Sequence, residues 1–157
     1  MVYYSLVNSH LSYCITTWGG APSTMIESLK VTQRKIIRLM THSDFQAPTT
    51  PLFSRLNILK LEDVYTLNLS LIFHKIHNNK IVGQHNLINI KDIHSHNTRL
   101  SHNHNYFTNY QKTNLGLATY TAAGNRIWST LTADIKNMVY SGFKYKVKKM
   151  LIQSYAD

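Results

Sequence analysis

The chain has 157 residues, of which 43% are hydrophobic and 11% aromatic, a composition that is sufficient for a folded core. The formal net charge of +10 favours polyanionic partners such as nucleic acid or an anionic membrane surface. The single cysteine, Cys14, excludes an internal disulfide and a cysteine-based zinc site, and no stretch reaches the roughly 20 apolar residues of a membrane span.

The first predicted element is a buried helix over residues 2–18. Its apolar and aromatic positions recur at intervals of three and four residues: Tyr3, Leu6, Val7, Leu11, Cys14 and Trp18. At this spacing Cys14 is interpreted as a small buried hydrophobic residue and not as a nucleophile. The run Gly19-Gly20-Ala21-Pro22 ends the helix in a turn.

A second, amphipathic helix is predicted to extend to about residue 41. Thr24 at the N-cap and Glu27 three residues later match a capping box. Apolar residues mark one face, and the other face carries four cations: Lys30, Arg34, Lys35 and Arg38. Long cations on a rigid helix suit contacts to phosphate groups, although an ordinary solvated face has the same pattern.

Two further helices are predicted before residue 78. Thr50-Pro51 begins a short helix with proline at its first position. A longer helix runs from Leu61 to His77, and its acidic first turn and basic last turn suit the helix dipole.

From Asn78 to about Asn114 the periodicity is lost, which predicts a long polar loop or short strands at positions that the pattern does not define. The loop contains two His-x-His pairs: His94, His96, His102 and His104. Zinc needs three or four ligands in a fixed geometry. With no cysteine and only Asp92 nearby, the pattern favours a polar loop over a metal site.

The C-terminal part combines three predicted elements. Residues 115–120 are predicted as a short strand, and residues 124–128 as a turn that places Trp128 in the core. The last helix begins at Ser141 and has an apolar stripe. Its lysines are interpreted mainly as a solvated face: Lys144, Lys146, Lys148 and Lys149.

Six motifs occur in order over nearly the whole length. They are Tyr4-Ser5-Leu6-Val7-x-Ser9-His10-Leu11-x-Tyr13 with Trp18-Gly19; Leu29-x3-Gln33-Arg34-Lys35-x-Ile37-Arg38; Thr50-Pro51-Leu52-Phe53-x2-Leu56-x-Ile58-Leu59-x-Leu61; His96-Asn97-Thr98-Arg99; Gly124-x3-Trp128; and Phe143-Lys144-x2-Val147-Lys148. In this order and spacing they resemble the region that follows the polymerase palm in non-LTR (LINE-type, jockey- or CR1-like) retrotransposon reverse transcriptases. The chain departs from that pattern at Trp128-Ser129-Thr130-Leu131-Thr132, where Trp-Asn-x-Leu-Pro is usual.

The resemblance implies a mainly α fold, a helical thumb-like bundle followed by an irregular polar segment and a C-terminal helix. The corresponding division is residues 1–79 for the thumb-like region, 80–114 for the polar linker or loop and 115–157 for the C-terminal extension. It also implies that the cations of the second helix hold the backbone of RNA or of an RNA/DNA hybrid. Within the His96–Arg99 motif, Arg99 with His96 is the further candidate for a fixed contact, either a structural contact or one to a phosphate. The expected protein partner is the polymerase palm, and neither a membrane nor a small-molecule substrate is expected.

No catalytic residue is predicted. Nucleotidyl transfer by two metals needs carboxylates that converge on cations about 4 Å apart. The chain has seven acidic residues, and the only adjacent pair, Glu62-Asp63, is accounted for by a helix start. No cofactor is therefore expected in this chain, and Mg²⁺ is expected only in the palm. The alternative hypothesis is a protein-interaction or structural helical domain, whose apolar first helix is expected to pack on the polymerase palm, or a remnant without activity.

Overall fold

A computed structural model describes residues 2–81, 87–93, 96, 98, 102–107 and 109–155 of the chain. These residues are mainly α-helical, which confirms the predicted fold class. Their only β-type pairing is an isolated antiparallel bridge between Asn89 and Tyr106. None of the helices in these ranges combines the length and the apolar character that crossing a lipid bilayer requires.

A π-helical turn, Tyr3–Asn8, precedes the first α-helix. The α-helices that follow are α1 (Ser9–Ser12), α2 (Ile15–Trp18), α3 (Ser23–Thr41), α4 (Thr50–Leu56), α5 (Leu61–His77), α6 (Ile90–Ile93), α7 (Asn114–Ala118), α8 (Tyr120–Thr130), α9 (Ala133–Lys136) and α10 (Tyr140–Gln153). The predicted bounds of α5 and the proline in the first turn of α4 are confirmed.

The chain divides into two compact units. Unit 1 comprises Met1–Leu67 and Val147–Asp157, and unit 2 comprises Asn68–Lys146. The boundaries fall inside α5 and α10, and therefore differ from the sequence-based divisions after residues 79 and 114.

The core of unit 1 forms around α3 and α4. Tyr3, Ile37, Phe53 and Ile58 are each at most 1% exposed and form one cluster. The residues of α3 that enter the core recur with helical spacing, as the amphipathic pattern of this helix predicts.

The buried side chain of Gln33 connects three segments of unit 1. Its Nε2 donates to the Tyr3 hydroxyl at 2.8 Å and to the Leu59 carbonyl at 3.0 Å. Its Oε1 accepts from the Leu61 backbone N–H at 3.0 Å. An amide has both donors and an acceptor, so one side chain satisfies three buried groups, including an N–H at the start of α5.

The N-terminal segment is not the single buried helix predicted from its spacing. Tyr13 is extended and Cys14 adopts a left-handed conformation with φ of 47°, so the helical path breaks between α1 and α2. The Trp18 indole N–H donates to the Tyr13 carbonyl at 2.8 Å across this break. Cys14 is exposed, and the prediction that it is buried is wrong.

The predicted capping box at the start of α3 is also wrong. The helix begins at Ser23 with Pro22 at the N-cap, and no side chain caps its first turn. Glu27 forms ion pairs with Arg34 and Lys30 further along the helix, and this pairing competes with the capping role.

Trp128 lies at the centre of unit 2 and is fully buried, as the sequence predicts. Four rings surround it, with centroids at 5.5 Å for His77, 6.1 Å for Phe143, 6.2 Å for Phe73 and 6.5 Å for Tyr106. Such distances are typical of packed aromatic side chains.

The elements that lead to Trp128 differ from their prediction. Residues 114–118 form α7 instead of a strand, and residues 124–128 lie within α8 instead of a turn. Gly124 packs against the buried ring of Phe73, where a Cβ atom would lie 2.1 Å from Cε2. This glycine permits close packing inside a helix, whereas the sequence suggested a turn.

Residues 103–106, from the predicted polar loop, contribute to the interior of unit 2. The Trp128 indole N–H donates to the His104 carbonyl at 3.0 Å. The ammonium group of Lys136, a residue without exposed surface, donates to the Asn103 carbonyl at 2.7 Å and to Asn105 Oδ1 at 2.8 Å. It also lies 5.1 Å from the Trp128 ring centroid, a cation–π contact.

Two ionisable groups of this interior have lowered pKa values. Burial lowers the pKa of Lys136 to about 8, because the charged form loses its hydration. Burial also lowers the pKa of His77, and the nearby His104 lowers it further. Both groups therefore favour their neutral forms more than they do in water.

Candidate nucleic-acid interface

The four predicted cations of α3 differ in exposure around the helix. The Lys30 side chain is 15% exposed and borders the buried face, whereas the Arg34 side chain is 39% exposed. Lys35 lies on the solvent side, and Arg38 is half-buried. The solvent exposure of the basic face therefore increases from Lys30, at the edge of the core, to Lys35.

Lys30 and Arg34 form ion pairs within unit 1. Lys30 pairs with Glu62 at the start of α5 and lies 3.9 Å from a carboxylate oxygen of Glu27. Arg34 pairs with Glu27, which lies two helical turns earlier on α3. Pairs as exposed as that of Arg34 contribute about 0.2–1 kcal/mol. Arginine binds phosphate and carboxylate oxygens by the same charge-assisted hydrogen bonds, so a phosphate can compete with the carboxylate for Arg34.

The outer two cations are arranged differently. Arg38 Nε donates to the Ala47 carbonyl at 3.0 Å, and its guanidinium lies 6.0 Å from the Phe45 ring centroid. This holds the loop after α3 and leaves the terminal nitrogens of the guanidinium available. Lys35 has no ion pair among the residues that the structure describes.

Three cations of unit 1 line one concave pocket of about 260 Å³: Lys30, Arg34 and Lys60. We call it the basic pocket. Thr49 and Thr50 add hydroxyl groups to its wall, and Glu62 is the carboxylate that lines it within the described part of the chain. Converging cations and hydroxyl groups are the donors that bind phosphate oxygens.

Sequence reasoning missed Lys60, Thr49 and Thr50. Lys60 precedes an acidic helix start, and no spacing relates it to the cations of α3. Its ammonium lies 4.4 Å from the Tyr155 ring centroid, a cation–π contact that restrains it. The Lys60 backbone N–H donates to the Tyr155 hydroxyl at 3.0 Å.

The Tyr155 hydroxyl in turn donates to the Asp63 carboxylate. Burial raises the pKa of Tyr155, and the hydrogen bond to Asp63 raises it further. Burial also raises the pKa of Asp63, against the lowering effect of the Tyr155 hydrogen bond. Asp63 therefore has two roles: it accepts a hydrogen bond from Tyr155, and its charge lies in the first turn of α5, where it interacts favourably with the helix dipole.

Arg99 lies outside the described residues, as does His94. Of the other histidines in the predicted polar loop, His96 and His102 are exposed, and His104 lies 5.2 Å from His77 between ring centroids. Within the ranges that the structure describes, no three His, Cys, Asp or Glu side chains are grouped to hold a metal ion.

The lysines of α10 differ from one another in their contacts. Lys144, Lys146 and Lys149 are exposed. Lys148 lies in unit 1, where its ammonium is 5.6 Å from the Tyr4 ring centroid and 3.3 Å from the Tyr4 hydroxyl. Lys148 thus has a structural contact that the interpretation as a solvated face did not include.

No protein-family model matches the chain, and no curated protein or solved structure matches it either.

Proposed function

We propose that this chain is a non-catalytic, nucleic-acid-binding region of a LINE-type reverse transcriptase, in which unit 1 holds the backbone of an RNA/DNA template–primer. The observation that carries the proposal is the convergence of Lys30, Arg34 and Lys60 on the basic pocket. The net charge of +10 supplies long-range attraction to a polyanion. The ordered sequence motifs supply the link to reverse transcriptases. RNA-directed DNA synthesis itself belongs to the palm.

Carboxylates at and beside the basic pocket limit the affinity for phosphate. The carboxylates of Glu27 and Glu62 hold Lys30 and Arg34 in place and oppose an incoming phosphate. Contacts of this kind read the backbone and carry no base sequence information. Binding is therefore expected to be independent of sequence and to weaken as salt rises.

The experiment is a titration of a fluorescently labelled RNA/DNA hybrid with the full chain over a series of salt concentrations, followed by anisotropy. Each phosphate contact contributes about −0.9 to the slope of log K against log salt. A variant that combines Lys30→Ala, Arg34→Ala and Arg38→Ala should reduce that slope by about 3. Absence of salt-sensitive binding at low ionic strength would refute the proposal.

Two single variants make the assignment to the pocket specific. Arg34→Ala should weaken binding more than Arg55→Ala, which removes an equal charge from an exposed position on α4 outside the pocket lining. Glu62→Gln should strengthen binding about two- to fivefold, since the competing ion pair contributes about 0.4–1 kcal/mol. A gain of affinity is an outcome that misfolding does not produce.

The exposed apolar side chains at the N-terminus support a second candidate function, a protein-interaction domain. Val2 is 69% exposed, Leu6 63% and Tyr13 76%, whereas Tyr3 is buried. Such a surface suits a protein partner or a second copy of the chain. Light scattering is the test: self-association that Leu6→Ser abolishes favours this function, and a monomer at high concentration argues against it.

A further inference from the structure

Unit 2 contains a groove of about 690 Å³ that the sequence did not indicate. Its volume is in the range of about 300–1,000 Å³ that ligand sites occupy. Cations flank the groove, and among the described residues no carboxylate lines it. We name it the unit 2 groove, and the lining residues that matter here are Tyr106, Tyr110, Lys112, Leu117 and Arg126.

The charge of the groove is not compensated. Lys112 and Arg126 are both exposed, and neither has an ion pair among the described residues. This contrasts with Lys30 and Arg34 in the basic pocket, where carboxylates compete with any ligand. An anionic ligand would therefore bind to the groove without displacing a protein carboxylate.

The groove also presents an aromatic face to solvent. Tyr110 is 85% exposed and Leu117 44% exposed, whereas Tyr106 is buried. An exposed tyrosine beside free cations is the combination that binds unpaired bases and their phosphates. The amide groups of Asn109 and Gln111 lie in the same lining and can pair with the polar edges of bases.

We infer that the unit 2 groove binds single-stranded RNA or DNA, with a base stacked on Tyr110 and phosphates at Lys112 and Arg126. A duplex is excluded as the principal ligand because its bases are already stacked on each other. An acidic peptide would use the two cations but would leave the aromatic face and the amides without a role. The inference depends on unit 2 residues and stands whether or not the basic pocket binds a hybrid duplex.

The experiment compares two labelled probes on the full chain by anisotropy: a single-stranded oligouridylate of about ten nucleotides, near the usual site size, and an RNA/DNA hybrid. Tyr110→Ala should weaken binding of the single strand about five- to tenfold, and Tyr110→Phe should retain it. Binding of the hybrid should be unchanged in both variants. Because Tyr110 is largely exposed, its replacement should leave the thermal unfolding midpoint unchanged.

Arg126→Ala should weaken single-strand binding and reduce its salt slope by about 1. Lys91→Ala is the matched control, since Lys91 is an exposed cation of unit 2 outside the groove lining. Equal effects of Arg126→Ala and Lys91→Ala would overturn the inference, because charge alone would then explain binding.

A photo-crosslinking measurement locates the bound strand directly. A probe that contains 5-bromouridine should crosslink to a peptide that includes Tyr110, and crosslinks confined to other segments would overturn the inference. Polyglutamate is added as a competitor: if it displaces the probe as well as unlabelled oligouridylate does, the groove is an acidic-peptide site and the inference is wrong. Loss of hybrid binding in the α3 variants, with single-strand binding retained, would leave this inference intact.

Discussion

The two units bury polar side chains of different kinds. In unit 1, the neutral amide of Gln33 is hydrogen-bonded to three partners, and the cations are paired with carboxylates near the surface. In unit 2, the ammonium of Lys136 is buried against carbonyl oxygens and an indole ring. The three ion pairs found among the described residues all lie in unit 1.

The difference shows two solutions to the cost of burying a polar group. A neutral amide costs little to bury when all its hydrogen bonds are formed. An ammonium group keeps a larger desolvation cost, which neutral oxygens only partly offset, and this cost appears as the lowered pKa of Lys136. We therefore expect unit 2 to respond to pH and to substitution at its polar centre more strongly than unit 1.

The largest expected effect is at Lys136. Lys136→Ala should lower the free energy of unfolding by about 3–5 kcal/mol, since it leaves one buried and one partly buried acceptor without their donor and a cavity beside Trp128. Lys136→Met fills most of the cavity and should cost less. Urea unfolding followed by circular dichroism measures both, with the exposed Lys144→Ala as a control that should change stability by less than about 0.5 kcal/mol. Equal stability of Lys136→Ala and the control would contradict this account.

Gln33→Ala should lower the free energy of unfolding by about 2–4 kcal/mol, because the Tyr3 hydroxyl and the Leu61 N–H lose their partner inside the core. The same urea titration measures it. Since the amide does not ionise, the loss of stability in Gln33→Ala should be the same at pH 6 and pH 9. The loss in Lys136→Ala should differ between these two pH values. A pH-dependent loss at Gln33 would remove the contrast between the units.

Between pH 8 and pH 10, the pH dependence of stability should come from unit 2. The folded-state pKa of Lys136, about 8, lies below its unfolded value of 10.5. The folded state therefore releases its proton first, and the free energy of unfolding should rise between pH 8 and pH 10, by about 2–3 kcal/mol. Above pH 10 it should fall, because burial raises the pKa values of Tyr3, Tyr106 and Tyr155 and the unfolded tyrosines ionise first.

Urea titrations across this pH range test the expectation. The rise should be absent in Lys136→Met, which has no group that titrates at this position. Its persistence in that variant would assign the effect to another group.

The smallest effects are expected at two glycines of unit 2 that both lie in helices. Gly124→Ala should lower the free energy of unfolding by about 1–2 kcal/mol, because the clash with Phe73 outweighs a helix-propensity gain of about 1 kcal/mol. Gly142→Ala meets no atom within 4 Å and should raise it by about 0.5–1 kcal/mol. Thermal unfolding of the two variants shows whether each substitution lowers or raises stability. In a Phe73→Leu background the cost at Gly124 should shrink, and an unchanged cost would exclude the ring as its cause.

The sequence by itself determined the helical class and the position of α3, α4 and α5. These elements are encoded by spacing, proline and charge within a few residues of one another, and each such signal is local. Burial of Trp128 could also be anticipated, since tryptophan side chains are highly buried on average. Of the site, the sequence indicated the cations of α3 and their common helix.

Tertiary structure alone decided which cations converge. Lys60 joins Lys30 and Arg34 because α5 begins beside α3, and Glu62 opposes them for the same reason. Tertiary structure likewise placed residues 103–106 around Trp128 and Lys136, although asparagine, histidine and lysine individually favour solvent. A polar residue enters a core when partners from remote segments satisfy it, and no local pattern records such partners.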